Sequence, residues 1–194
     1  FFVLAGVAAV SGCAEWERFC VALDPDIETG TQSLLVATSR AADPAPIAYG
    51  PGRGEALDFA RLTISIPPTH RTGQIEWPEG AGVDPAQHFA LVGAIAGVEA
   101  LVAAARQTAA GQDDEAVLFV HGYNTNFAEG VYRHAQIAWD YGLRGPQFHF
   151  AWPSAADPLG YVYDRNSTLI ARDALADLIS RLVQERGLRL SVVG

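Results

Sequence analysis

The chain has 194 residues, 49% of them hydrophobic and 18% charged, a composition that excludes a disordered protein and fits one domain with a sizeable core. Thirteen Lys and Arg stand against 22 Asp and Glu, a formal net charge of −9, and no basic stripe offsets it. A phosphate backbone would be repelled, so nucleic acid is not an expected partner.

Residues 1–10 form an unbroken apolar run, the length of a signal-peptide core and too short to span a bilayer. The run leads into Val10-Ser11-Gly12-Cys13, which resembles the bacterial lipobox. Small residues there let a peptidase draw the extended backbone close, and the cysteine thiol accepts the acyl chains. The alternatives are a buried N-terminal strand or an ordinary core cysteine. The expectation is a signal peptide over residues 1–12, lipidated Cys13, and stable membrane anchoring by two or more acyl chains. That implies a cell-envelope, periplasm-facing protein; Ala14, where some inner-membrane lipoproteins carry Asp, tilts the choice toward the outer membrane. The chain contains no methionine and stops inside an apolar run, so it is expected to be open at both ends. Residues 13–32 are expected to be a tether with turn residues at Asp24-Pro25-Asp26, and residues 33–194 the domain. Cys20 has no partner for a disulfide and is expected to be a small, half-buried residue.

Within the domain, residues 33–38 are expected to form a strand. Residues 41–55, rich in Pro and Gly, are expected to be a surface loop. Residues 62–66 alternate in the manner of a half-buried strand, and Pro67-Pro68 ends it because neither can donate to a ladder. Residues 89–92 suggest another strand and residues 98–110 a helix stopped by Gly111. The uncharged stretch 87–98 is too short and too rich in Ala and Gly for a membrane helix.

From there strand and helix alternate. Residues 116–120 are continuously apolar, as in a strand buried on both faces of a parallel sheet. A helix is expected over 127–141, with Asn126 as N-cap, Glu129 at the third position and Gly142 closing it. Residues 147–152 are the next strand, 169–186 an amphipathic helix followed by Gly187, and 188–193 a last strand. This order predicts an α/β fold, a mostly parallel sheet with helices on both faces.

Ligands of such sheets bind outside the carboxyl ends of the strands. His121-Gly122-Tyr123-Asn124 and Trp152-Pro153-Ser154 occupy that edge. A glycine after a strand lets the backbone turn sharply and approach a substrate oxygen, with a β-carbon at Gly122 expected to clash or push the loop away. The bland reading of the first motif is a tight turn before a capped helix. Together with Val36-Ala37-Thr38-Ser39-Arg40, Ile64-Ser65-Ile66-Pro67-Pro68-Thr69-His70, Ile75-Glu76-Trp77-Pro78, Phe150-Ala151-Trp152-Pro153-Ser154, Leu159-Gly160-Tyr161 with Asp164-Arg165, and Leu190-Ser191-Val192-Val193-Gly194, these motifs resemble a bacterial α/β-hydrolase family of poorly defined function, esterase- or lipase-like and of the DUF900 type. The resemblance spans about residues 33–194.

That resemblance implies the α/β-hydrolase fold, truncated before the nucleophile elbow. Gly194 would be the first glycine of a G-H-S-x-G turn, and nucleophile, acid and histidine would all follow it, since the fold's chain order is Ser, Asp/Glu, His. No catalytic residue is therefore assigned within the chain. A backbone amide near Tyr123 is the implied oxyanion donor, with Gly122, Tyr123 and Asn124 forming the oxyanion hole and pocket and with Trp152 and Ser154 at the pocket edge. His121 is expected to be structural, bonding the loop; Ser154 to cap a turn or line the pocket; Asp164 and Arg165 to pin the following helix. Trp152 and Tyr161 also read as packing residues. His70, His88, His134 and His149 lack metal-ligand spacing, no C-x-x-C exists, and Gly50-Pro51-Gly52-Arg53-Gly54 is no phosphate loop, so neither metal nor cofactor is expected. The implied function is serine-hydrolase-type cleavage of a carboxylic ester or related acyl bond, on a small-molecule or lipid-like substrate. The alternatives are a non-catalytic binding or scaffold lipoprotein on the same fold, and a secreted binding module unrelated to hydrolases.

Overall fold

A computed structural model describes residues 19–22, 29–43, 48–78, 82–97, 115–185 and 188–194. Cys13 with its apolar leader, the helix expected over 98–110 with Gly111, and Gly187 lie outside the described residues. The elements are β1 (Gly30–Ala42), β2 (Tyr49–Ile66), β3 (Ala90–Ala96), β4 (Glu115–Val120), α1 (Phe127–Asp140), β5 (Gln147–Ala151), α2 (Tyr161–Ser180) with a π turn at Arg181–Glu185, and β6 (Arg189–Val193). The strands form one sheet in the order β3-β2-β1-β5-β4-β6. β1, β5, β4 and β6 are mutually parallel, and β2 runs against both β1 and β3.

The alternation of β1 shows how the sheet takes a helix on each face. Leu34 and Val36 enter a core with Phe127, Val131, Tyr132 and Ala135 of α1. Leu35 and Ala37 enter a second core with Ala171, Leu178 and Leu182 on the opposite side. A side-chain period of two sends successive residues to opposite faces, so one strand serves both layers. Leu34, Leu62, Ile64 and Val131 are fully buried, each stabilising by about 1.5–3 kcal/mol before entropy is counted.

Three elements differ from expectation. The Pro- and Gly-rich stretch 41–55 is mostly the far end of a long β1–β2 hairpin. The ladder jumps from Thr38↔Asp58 to Arg40↔Arg53 and then to Ala42↔Tyr49. The extra β2 residues bulge out, which is how Pro51 fits in a strand without donating to the ladder. Gly54 is needed there, because a β-carbon would lie 2.8 Å from the Arg40 carbonyl oxygen. α2 begins eight residues earlier than its apolar stripe suggests. Within the expected tether, residues 19–22 lie along β3 through a parallel bridge from Val21 to Leu91. There the Cys20 amide donates to the Tyr132 hydroxyl at 3.1 Å, and Phe19 meets Phe127 and Tyr132 edge-on. Cys20 is fully buried rather than half-buried.

Candidate active site

The carboxyl ends of β1, β4, β5 and β6 share one edge of the sheet. Phe119 pairs with Val193, Val120 with Phe150, and Ala151 with Thr38. The next residues along each strand are therefore neighbours there: His121-Gly122 after β4, Trp152-Pro153-Ser154 after β5, Gly194 after β6, and Arg40 two positions on in β1. A β-carbon on Gly194 would sit 3.1 Å from the Val120 carbonyl oxygen, so β6 runs close beside β4 to its last residue.

The loop after β4 is held by its neighbours. Asn124 adopts φ 54°, a left-handed conformation that Asn tolerates better than most residues. Its amide donates to Asp164 Oδ2 at 3.1 Å, and the Thr125 amide donates to Ser154 Oγ at 3.1 Å. Asn126 then caps α1, its side chain accepting from the Glu129 amide at 2.9 Å. Ser154 is fully buried; its hydroxyl donates to Asp164 Oδ2 at 2.7 Å and accepts from the Ala156 amide at 3.3 Å. Asp164, in the first turn of α2, also accepts from the Ala155 amide at 2.6 Å. Arg165 beside it is exposed.

Sequence reasoning gave no role to Arg40, which is only 2% exposed. Its guanidinium donates to the carbonyls of Thr125 (2.7 Å), Ser154 (3.2 Å) and Gly50 (3.2 Å). Burial lowers its pKa to about 10, opposed by the nearby Asp164 carboxylate, so it stays charged at neutral pH. An arginine three residues after the apolar run at residues 34–37 was the only signal, and burial of its head group depends on the bulge that follows.

His121 is structural in geometry. One ring nitrogen faces the Gly122 carbonyl and the other the Trp152 carbonyl, both at 2.9 Å, while the Trp152 indole donates to the His121 carbonyl at 2.7 Å. The two rings stack with centroids 4.7 Å apart. Burial, reinforced by Arg40, pushes the His121 pKa down to about 4. The ring is neutral near pH 7 and donates to only one of the two carbonyls.

The surface above this network is made by Gly122, which is exposed, and Tyr123, 43% exposed. Tyr123 donates its hydroxyl to the Pro158 carbonyl and meets Tyr161 edge-on. Two expectations are corrected. A β-carbon on Gly122 would meet nothing within 4 Å, so the fold itself does not require glycine there. Trp152 and Ser154 are buried beneath the edge instead of lining it: Trp152 packs, and Ser154 caps the turn.

Behind His121 lies a column of stacked rings that the sequence did not announce. His149 stacks on His121, His134 and Phe119, with centroids 5.5–6.2 Å apart. Both ring nitrogens of His134 and of His149 are buried with no hydrogen-bond partner among the described residues. Burial pushes His134 down to about 4, with Gln147 close enough to oppose the shift though outside hydrogen-bond geometry. His149 is driven well below its usual value by burial and then by His134, His121 and Arg40.

Among the described residues, no group of three or more His, Cys, Asp or Glu is placed to hold a metal ion. A cavity of about 290 Å³ lined by Pro67, His70, Trp139 and Asp140 lies at the opposite edge of the sheet, away from these loops.

No curated protein and no solved structure matches the chain. One family profile does, over residues 101–193, which include β4, α1, β5, α2 and β6 with the loops just described. Over that stretch, just under half of its length, the chain matches the family described as "Alpha/beta hydrolase of unknown function (DUF900)".

Proposed function

We propose that this protein is a serine-hydrolase-type enzyme that cleaves a carboxylic ester or related acyl bond. The reading is carried by one observation: the loop after β4 leaves Gly122 exposed, with open space above it, beside the end of β6. In an α/β hydrolase the loop with this chain position supplies one oxyanion amide, and the strand here numbered β6 leads into the nucleophile turn. The amides at Gly122 and Tyr123 are the proposed donors. The nucleophile is a serine two residues beyond Gly194, followed in the gene by a carboxylate that orients a histidine and by that histidine. Glycine at position 122 would then serve the approach of a substrate oxygen rather than the packing of the loop. The same reading holds the protein at a membrane through lipid on Cys13, facing the periplasm, with a small ester or lipid-like substrate.

A fluorophosphonate probe, which reacts with activated serines, tests the chemistry. The product of the whole gene is expected to be labelled, and residues 1–194 alone to remain unlabelled. Gly122→Val in the whole gene is expected to keep its melting temperature and to lose about 100- to 1,000-fold in labelling rate, the cost of one lost oxyanion donor elsewhere. Labelling of residues 1–194 would show the nucleophile to be misplaced. A folded, unreactive product of the whole gene would favour a binding or scaffold protein on the same fold.

A further inference from the structure

We propose that Asp164, set against the buried Arg40 across Ser154, is a positioning residue that holds the loop at residues 122–125 in the geometry that receives a developing oxyanion. The inference rests on the serine-hydrolase reading and assigns the machinery beneath that site.

Asp164 and Arg40 are each 2% exposed, and no direct ion pair joins them among the described residues. Ser154 stands between, giving its carbonyl to Arg40 and its hydroxyl to Asp164. Each charge then grips the same loop from its own side. The carboxylate takes the Asn124 amide and the guanidinium takes the Thr125 carbonyl, while Ser154 Oγ takes the Thr125 amide. Asn124 and Thr125 are thus fixed at three backbone atoms immediately after the proposed donors. This restraint keeps Asn124 in its left-handed conformation, which a non-glycine residue holds only when its surroundings impose it. The second oxygen of Asp164 binds the Ala155 amide, so the loop after β5 is fixed by the same group. A carboxylate suits this role because it accepts only, and all three of its partners here donate. Donors fixed before reaction need no reorganisation when charge develops, which is where preorganised sites gain their rate.

The test uses the product of the whole gene with Asp164→Asn and, as a milder change, Ser154→Ala. Asparagine keeps the shape but turns one acceptor into a donor facing a donor. Hydrogen exchange at Asn124, Thr125 and Ala155 reads the clamp, and fluorophosphonate labelling, separated into probe binding and bond formation, reads its purpose. Expected are faster exchange at those amides with β4 and β5 still protected, and about a 100-fold slower bond-forming step with probe binding little changed. Unchanged exchange at those amides, or bond formation within two-fold of wild type, overturns the proposal. Loss of protection throughout both variants also overturns it, since the cluster would then be a general stability element. An unlabelled wild-type protein whose Asp164→Asn variant still loosens these amides would sink the hydrolase reading, and with it this role, while the clamp remained.

Discussion

His70 is held at both ring nitrogens by carboxylates: Nδ1 lies 2.8 Å from Glu76 Oε2, and Nε2 lies 2.8 Å from Asp140 Oδ1. A neutral imidazole has one N–H, so both contacts are satisfied only by the imidazolium. Burial opposes that charge, but the hydrogen bonds to Glu76 and Asp140 and their charges outweigh it, and the pKa is raised. The carboxylates also accept the Arg71 and Gly73 amides, so the group pins the loop after β2 to the end of α1. A histidine whose pKa is raised on folding stabilises fully below its unfolded value of about 6.5. That contribution is lost as pH rises through the higher folded value. His70→Ala should therefore cost about 1–3 kcal/mol at pH 6, and the gap to wild type should shrink by pH 9. Urea midpoints at the two pH values check it; a gap that widens with pH would contradict the assignment. The sequence showed His70 only as a histidine without metal spacing. Its partners, one close in the chain and one across the fold on α1, could not be paired from local pattern.

The β4–α1–β5 unit was the most legible part of the molecule. A continuous apolar run defines β4, Phe148 and Phe150 mark β5, and Asn126 marks the helix start by chemistry confined to four residues. α2 was half legible. Its first turns hold Tyr161, Val162, Tyr163 and Thr168, poor helix formers, with Tyr161 and Val162 facing outward. The buried stripe that betrays a helix becomes continuous only from Ala171. The hairpin was hidden because Pro and Gly signal loops unless a bulge absorbs them, and a bulge depends on the partner strand. At the candidate site, the loop motifs were readable while Arg40 was not, since its burial is a property of the closed edge. The histidine column belongs to this scale too, because α1 and β5 trap His134 and His149 between them. Buried neutral histidines have folded pKa values below their unfolded ones, so the unfolded chain binds more protons between about pH 6.5 and 4. Stability should fall across that window. His149→Leu, which removes the most deeply depressed member, should move the acid-unfolding midpoint to lower pH. Circular dichroism against pH reads it, and an unchanged midpoint would mean that other groups control acid unfolding.

At the scale of the whole molecule, charge and anchoring make opposed demands. A chain with net charge −9 gains nothing from an anionic lipid surface, so adsorption by charge alone would not hold it there. If the proposed lipid on Cys13 is the anchor, Cys13→Ser should release the protein from membranes at low and high salt alike. Fractionation of cells expressing the whole gene decides the matter; a variant as membrane-bound as wild type would remove the anchor.

The long hairpin has a consequence for how this fold tolerates change in chain length. Up to Thr38, β1 is in continuous register with β2 and sends alternate residues into two separate cores, so a one-residue insertion would exchange the two sets. Beyond Thr38 the ladder has already slipped twice, although Tyr49 still reaches the first core against Phe127. The slipped part of the ladder would therefore tolerate a change of length better than the part before Thr38, and it reaches α2, where Arg53 donates to Ser167 Oγ and lies 4.4 Å above the Tyr163 ring. Length variation there would reshape the rim beside the candidate site while the ladder before Thr38 keeps its register.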